Sequence, residues 1–347
     1  MASAPPELPQ SIVLGTFAGI RNTVSPERLD PKELEAAVNV DIDDAGQVRR
    51  RRGRRQVATG SWHSLREVGD IRLAVRDGEL GILEDSFAFA PLGTVGDARL
   101  SYTRVGDTIY FSSETVAGKI VNRQLLPWGE PGGGEWVSPV IRPTETLGAV
   151  AGRFLTAPPN ASEIEAYSGR IYLASGPVLW ATELYLYDKV DASKNFVFLE
   201  NDITMVRAVG DGLYVGTTAQ LLFLRGTLSQ GLKAQVIMDA PVVRGSAVTV
   251  PWSKVHPRAR SQPMPEGFGP VFMTGDGVCV GLDNGEVYNL TQDHVVFPQA
   301  SSAAALYRED QGANAYVAVT DSAGGPAANA RIGDYVDAEI VRASQGG

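Results

Sequence analysis

The sequence predicts an all-β protein of β-propeller type, with five to seven blades, an N-terminal hairpin extension and very little helix. Three observations predict it. Glycine is abundant, 38 of 347 residues, and is scattered among runs of Val, Ile, Leu and Tyr. Many tight turns between short strands give that pattern. A degenerate unit recurs in which a strand ends, a Gly/Asp turn reverses the chain, and a Tyr/Leu/Val strand follows. The spacing of that unit, near 40 residues with two longer intervals, suits the ~40–45 residues that blades of four strands need.

The copies run as follows. Arg66-Glu-Val-Gly-Asp-Ile-Arg-Leu-Ala-Val75 is followed by the turn Asp77-Gly78 and by Glu79–Leu83. Thr103-Arg-Val-Gly-Asp-Thr-Ile-Tyr-Phe111 is the second copy, and Glu165-Ala-Tyr-Ser-Gly-Arg-Ile-Tyr-Leu-Ala174 the third. Arg207-Ala-Val-Gly-Asp-Gly-Leu-Tyr-Val215 is the fourth, and Val271-Phe-Met-Thr-Gly-Asp-Gly-Val-Cys-Val280 the fifth. Asp77-Gly78 and Asn284-Gly285 are two-residue hairpin signals, because both central positions of such a turn favour positive φ. The intervals Asp70–Asp107, Asp107–Arg170, Arg170–Asp211 and Asp211–Asp276 are 37, 63, 41 and 65 residues. The two long intervals hold insertions or a partial blade. Gln124 to Pro159 and Val250 to Pro270 are proline-rich and read as long loops.

A blade cannot bury both faces alone, so each must pack on the next and the ring must close. The expected organisation is an N-terminal extension over 1–57 and a propeller over 58–347. The apolar stretch Ser11–Phe17 is placed to complete the last sheet with Ala315–Val319 and Tyr335–Val341, which would remove exposed edges. One short helix is expected after Leu29. Asp30 can cap it, Pro31 suits its first position, and Glu33 has capping-box spacing before Leu34–Val38.

Composition limits the function. Hydrophobic residues are 44% and charged residues 20%, the mix of a globular protein. Net charge is −9, and six of the 31 basic residues fall between Arg49 and Arg55. The rest of the chain is therefore acidic and not a general nucleic-acid binder. The lone Cys279, in Val-Cys-Val, reads as a buried strand residue and excludes an intrachain disulfide. The N-terminus has no secretory-signal pattern, and no apolar run reaches the ~20 residues of a membrane span, so no membrane insertion is expected.

No catalytic constellation is expected either. His63, His256 and His294 have no metal-ligand spacing to one another or to Cys279. There is no nucleophile elbow, phosphate loop or dinucleotide fingerprint. Asp41, Asp43, Asp44 and Gly46 suggest a calcium loop, but its twelfth position is Arg52 rather than Glu. The recurring Asp residues are read as turn formers, since a catalytic pair would not repeat. No metal and no cofactor are expected.

The unusual local feature is Asn39 to Val57, a hairpin with an acidic arm and a strongly basic return, Arg49, Arg50, Arg51, Arg52, Arg54 and Arg55. Three readings stay open: contact with a partner's carboxylates, a solvated edge, and grip on DNA phosphates. Alternation along a strand splits the arginines between two faces, which favours partner contact over a single DNA groove.

Gly19-Ile-Arg-Asn22, Leu29, Leu34, Asn39-Val40, Gly46 and Val48-Arg-Arg-Arg51 with Gly53 resemble the opening of tailed-bacteriophage tail propeller proteins, of the tail tubular protein B (nozzle) and packaged-DNA stabilisation hub type. The resemblance covers residues 17–57 and is architectural beyond them. Arg52 departs from it, since proline is usual there, and the chain is shorter than the nozzle proteins. The resemblance implies a virion structural protein made in the bacterial cytoplasm: a tail hub, nozzle or adaptor subunit. Its partners would be its own copies, in a ring-shaped homo-oligomer, and other tail proteins around the DNA path. An acidic body suits transient DNA passage, because like charge keeps the duplex from sticking. The alternative is a tail-tip propeller binding a host-surface glycan or receptor through loop aromatics, with Trp128, Trp136 and Trp252 in suitable segments. A propeller hydrolase comes last, for want of a unique acid/base pair.

Overall fold

The computed structural model describes residues 16–35, 40–42, 46–50, 56–129, 155–255, 263–310 and 313–321. Five four-stranded antiparallel sheets follow one another along the chain as the blades of a five-bladed β-propeller. Blade 1 is Trp62–Val68, Ile71–Arg76, Glu79–Leu83 and Phe89–Thr94. Blade 2 is Ser101–Val105, Thr108–Ser112, Ala117–Val121 and Gln124–Pro127. Blade 3 is Glu163–Tyr167, Arg170–Ser175, Val178–Ala181 and Phe196–Phe198. Blade 4 is Ile203–Val209, Gly212–Thr217, Leu221–Arg225 and Lys233–Met238. Blade 5 is Val248–Pro251, Phe268–Thr274, Gly277–Gly281 and Val287–Asn289. The helical elements among the described residues are the short 3-10 turns Pro26–Arg28, Leu228–Gln230 and Trp252–Lys254.

The repeat explains how the blades stack. Strand residues alternate between sheet faces. In blade 4, Leu213 and Val215 face the core shared with blade 3, while Tyr214 enters the core shared with blade 5. There its hydroxyl donates to Leu282 O at 2.7 Å. Tyr172 likewise faces blade 4, and Ile171 and Leu173 face blade 2. Tyr110 faces blade 3, and Ile109 and Phe111 face blade 1. The aromatic of each Ile/Leu-Tyr-Phe/Leu/Val triplet is thus a knob set into the following blade.

The fifth copy is displaced by one strand. Its Gly275-Asp276 turn joins the second and third strands of blade 5, whereas Gly69-Asp70, Gly106-Asp107 and Gly210-Asp211 join the first and second strands of blades 1, 2 and 4. The alternation is reversed accordingly: Phe272 and Cys279 face blade 4, while Val271, Val278 and Val280 face the other way. Turn chemistry also holds where it was expected. Asp77 and Gly78 both have positive φ, +50° and +80°. At Asn284-Gly285 only Gly285 does, so that turn is of another type.

Several expectations are corrected. Ala313–Thr320 pairs with Ala303–Asp310 in a separate hairpin, which packs on blade 5, instead of completing a blade. Most of Ser11–Phe17 and all of Tyr335–Val341 lie outside the described residues; Phe17 N donates to Gly46 O, not to a blade. Among the described residues 30–35 no helix forms after Leu29, and residues 36–39 lie outside the described ones. The capping-box contacts exist, with Asp30 N donating to Glu33 Oε2 at 3.3 Å and Lys32 N to Asp30 Oδ1 at 2.9 Å. Glu33–Leu34 nevertheless leaves that turn as a strand, paired in parallel with Gly19–Ile20. Those ladder bonds and the Arg21–Glu33 ion pair, at 3.4 Å, compete successfully with a short helix of marginal intrinsic stability. The supposed loop at Gln124 begins as the fourth strand of blade 2, with residues 130–154 outside the described ones. The supposed loop at Val250 contributes strand at both ends, Val250-Pro251 pairing with Phe268-Gly269.

Candidate functional site: the propeller axis and the N-terminal extension

The first strands of the blades leave one edge unpaired toward the axis, and its N–H groups need acceptors. Side chains of the preceding blade supply them. Ser64 Oγ accepts from Leu100 N at 2.8 Å, Ser101 Oγ from Ile164 N at 3.1 Å, and Thr103 Oγ1 from Ala166 N at 3.1 Å. Blade 1 is thereby stitched to blade 2, and blade 2 to blade 3, along the inner rim.

Counted back from their turns, Arg66, Thr103, Glu165 and Arg207 occupy one equivalent position, two residues before the first strand ends. Ring closure brings three of these charges together with Glu163. Arg207 Nη1 lies 3.3 Å from Glu163 Oε2 and 3.5 Å from Glu165 Oε2, and it donates to Val206 O at 2.8 Å. The Glu163 and Arg207 side chains are each only 4% exposed. Ser101 Oγ donates to Glu163 Oε2 at 3.3 Å. Arg99, on the connection from blade 1 to blade 2, donates to Ala303 O at 2.6 Å and Gly245 O at 3.2 Å. The early part of the ring is thereby bonded to its late part. Arg244 adds a link across the axis to Glu114 at 2.7 Å.

Burial dominates the electrostatics. It pushes the Glu165 carboxyl above the ordinary carboxylate range, against the opposing pull of Arg207 and Arg66. It lowers the Arg66 guanidinium, and the like charge of Arg207 adds to that effect. Arg99 keeps accessible surface, and desolvation lowers its pKa too. Glu163 and Glu165 share one guanidinium, and Glu163 is too deeply buried for a sugar ring to reach. The cluster is built to hold charge in place. No group of three or more His, Cys, Asp or Glu residues is arranged for a metal among the described residues.

The N-terminal extension is docked on the last blade. The Asn22 side chain clamps Val296, donating to its carbonyl at 3.1 Å and accepting from its N–H at 2.8 Å. Asn22 N donates to His294 O at 3.0 Å, and Thr23 Oγ1 to Asp293 O at 2.7 Å. The expected charged hairpin is present as Val40–Ile42 paired with Val48–Arg50, with Asp41 opposite Arg49. Arg50 is exposed. Asn39, Arg51, Arg52, Arg54, Arg55 and Trp136 lie outside the described residues.

Two aromatic candidates are corrected. Trp128 is 5% exposed and donates from Nε1 to Tyr187 O at 2.8 Å. Trp252 is 1% exposed and donates from Nε1 to Gly281 O at 3.0 Å. Neither faces a ligand: each fills a core between elements, with its indole N–H satisfied, as a buried Trp requires. The axial charges carry no motif of their own; the shared phase of Arg66, Glu165 and Arg207 within the repeat is the signal that finds them.

No family profile and no curated protein matches the chain. Among solved structures, the chain is similar to BBS1N in its complex with ARL6DN, at 10% identity, 73% coverage of this chain, 72% of that chain and TM-score 0.43. It is similar to the N-terminal domain of Nup159, at 8% identity, 74% and 72% coverage and TM-score 0.41. PorZ, a surface component of the type-IX secretion system of Porphyromonas gingivalis, gives 9% identity, 75% and 31% coverage and TM-score 0.40. At these identities the likeness concerns the propeller fold and carries no function with it.

Proposed function

We propose that the chain is a structural virion protein of a tailed phage, a tail hub, nozzle or adaptor subunit that docks other tail components around the DNA path. The observation that carries the reading is the Asn22 clamp. The Gly-Ile-Arg-Asn22 element of the phage-like opening holds the extension on blade 5, which presents the Asp41/Arg49 hairpin on a rigid support. Resemblance over residues 17–57 supplies the family. In this reading DNA passes through the lumen of an oligomeric ring and not along the propeller's own axis, where Glu163 and Arg207 are buried. The hairpin is the assembly element, and its arginines meet carboxylates of a neighbouring copy or tail protein. Exposed pairs contribute only about 0–1 kcal/mol each, so several must become partly buried at the contact.

Replacing Arg49, Arg50, Arg51 and Arg52 with Ser tests this. A folded monomer that fails to enter particles is the expected result. Normal assembly with particles that leak DNA would transfer the arginines to the DNA-contact reading. Normal assembly with intact particles would make them a solvated edge. Labelling the subunit in intact particles locates it along the tail, and particles that lack it overturn the proposal.

A further inference from the structure

We propose that the propeller axis holds a small monoanion, bound by the Arg66 guanidinium and the Tyr102 hydroxyl within the field of Arg99 and Arg207. The charge count points to it. The axial cluster contains Arg66, Arg99 and Arg207 against Glu163 and Glu165, and the nearby Arg244 is already matched by Glu114. Arg66 and Arg207 are matched in number by Glu163 and Glu165, so the one positive charge in excess is that of Arg99, which keeps accessible surface at the edge of the cluster. Burial also biases Glu165 toward its neutral form, which deepens the excess.

Hydrogen bonding points the same way. Arg207 Nε is fully buried and has no acceptor. The Tyr102 hydroxyl is buried without a partner and lies within electrostatic reach of Arg66. The Arg66 guanidinium, half-buried between Arg207, Arg99 and the two glutamates, is given no acceptor by any described side chain or carbonyl. Buried donors in native proteins are satisfied in the great majority of cases. These donors are all hydrogen-rich and cationic or phenolic, a set that suits an acceptor-only ligand. A monoanion such as chloride or bromide neutralises the excess, whereas a dianion would reverse it.

The test uses the full chain, dialysed into sodium gluconate, a bulky organic anion. Chloride or bromide is then titrated in at constant ionic strength while the melting temperature is followed. Saturable stabilisation is expected, about 5 °C at a hundredfold excess over Kd for a chain of this size. Arg66→Met should abolish the saturable response, and Tyr102→Phe, which preserves the packing, should shift it to higher anion concentration. Crystals of the wild-type chain soaked in sodium bromide should show anomalous density beside Arg66, a readout that does not depend on any variant folding. An axis without bromide overturns the proposal, and so does a response that survives Arg66→Met unchanged.

Discussion

Removing the guanidinium of Arg207 should be among the most damaging changes in the chain, and the damage should depend on pH in a defined sense. Arg207→Met deletes the contacts to Glu163 at 3.3 Å and Glu165 at 3.5 Å, together with the bonds to Val206 O and Ala247 O. It leaves two carboxylates facing each other in a site where Glu163 is 3% exposed. Breaking a buried pair from one side costs about 3–5 kcal/mol, because the orphaned charge stays desolvated. For a chain of this size that corresponds to a fall of about 4–7 °C in melting temperature. In the variant Glu165, already held above the ordinary carboxylate range by burial, loses the opposing pull of Arg207, so its folded value rises further. The stability it contributes is then fully present below the unfolded value of about 4.3 and is lost as pH climbs through the raised folded value. The deficit against wild type should therefore be small near pH 4 and complete by pH 7. The triple change Arg207→Met, Glu163→Gln, Glu165→Gln should recover most of it at neutral pH. Urea denaturation from pH 4 to 7 measures all three proteins. A single-variant deficit below about 1 kcal/mol, or one that is flat across that range, would refute the reasoning.

Two further outcomes follow from buried and docked groups. Burial pushes the Cys279 thiol from 9 up to about 12, so the folded chain should not react with Ellman's reagent at pH 8 and should react once unfolded in urea at the same pH. Because the folded value is the higher one, the thiol's contribution to stability is intact below pH 9 and lost between about 9 and 12, and reaction of the native chain at a free-thiol rate would contradict both statements. Asn22→Ala removes both bonds to Val296 and should speed hydrogen exchange at Ile20, Asn22 and Val296 while the blades keep their protection, at a global cost of about 1–2 kcal/mol. Unchanged exchange in the extension would mean that Asn22 does not anchor it.

Local chemistry and ring closure were legible in the sequence to different degrees. The Gly/Asp turns could be read because a positive φ, +68° at Gly69 and +59° at Gly106, is a demand made within a few residues. The blades followed from them. The same locality misled at the fifth copy: a Gly-Asp turn serves any hairpin of a blade, and only packing tells which. It misled again at Asp30, where the capping contacts form as drawn but the chain continues into a strand whose partner, Gly19–Ile20, lies earlier in the chain. Trp128 and Trp252 sit among prolines that suggested exposed loops, yet Trp128 packs with blades 2 and 3 and Trp252 with blade 5 and the C-terminal hairpin, and those contacts leave no local trace. The axial site is the extreme case. Glu165 and Arg207 occupy the same phase of the repeat in successive blades, and the packing of blade 4 on blade 3 places them 3.5 Å apart. A phase at which chemistry varies while the turn stays constant, as it does through Arg66, Thr103, Glu165 and Arg207, marks where blades meet on the axis. Residues that meet there must satisfy one another's charge. Arg207 does so with both Glu165 and Glu163. Arg66 does not, and a guanidinium left over at a converging phase is a reason to look for a ligand instead of another side chain.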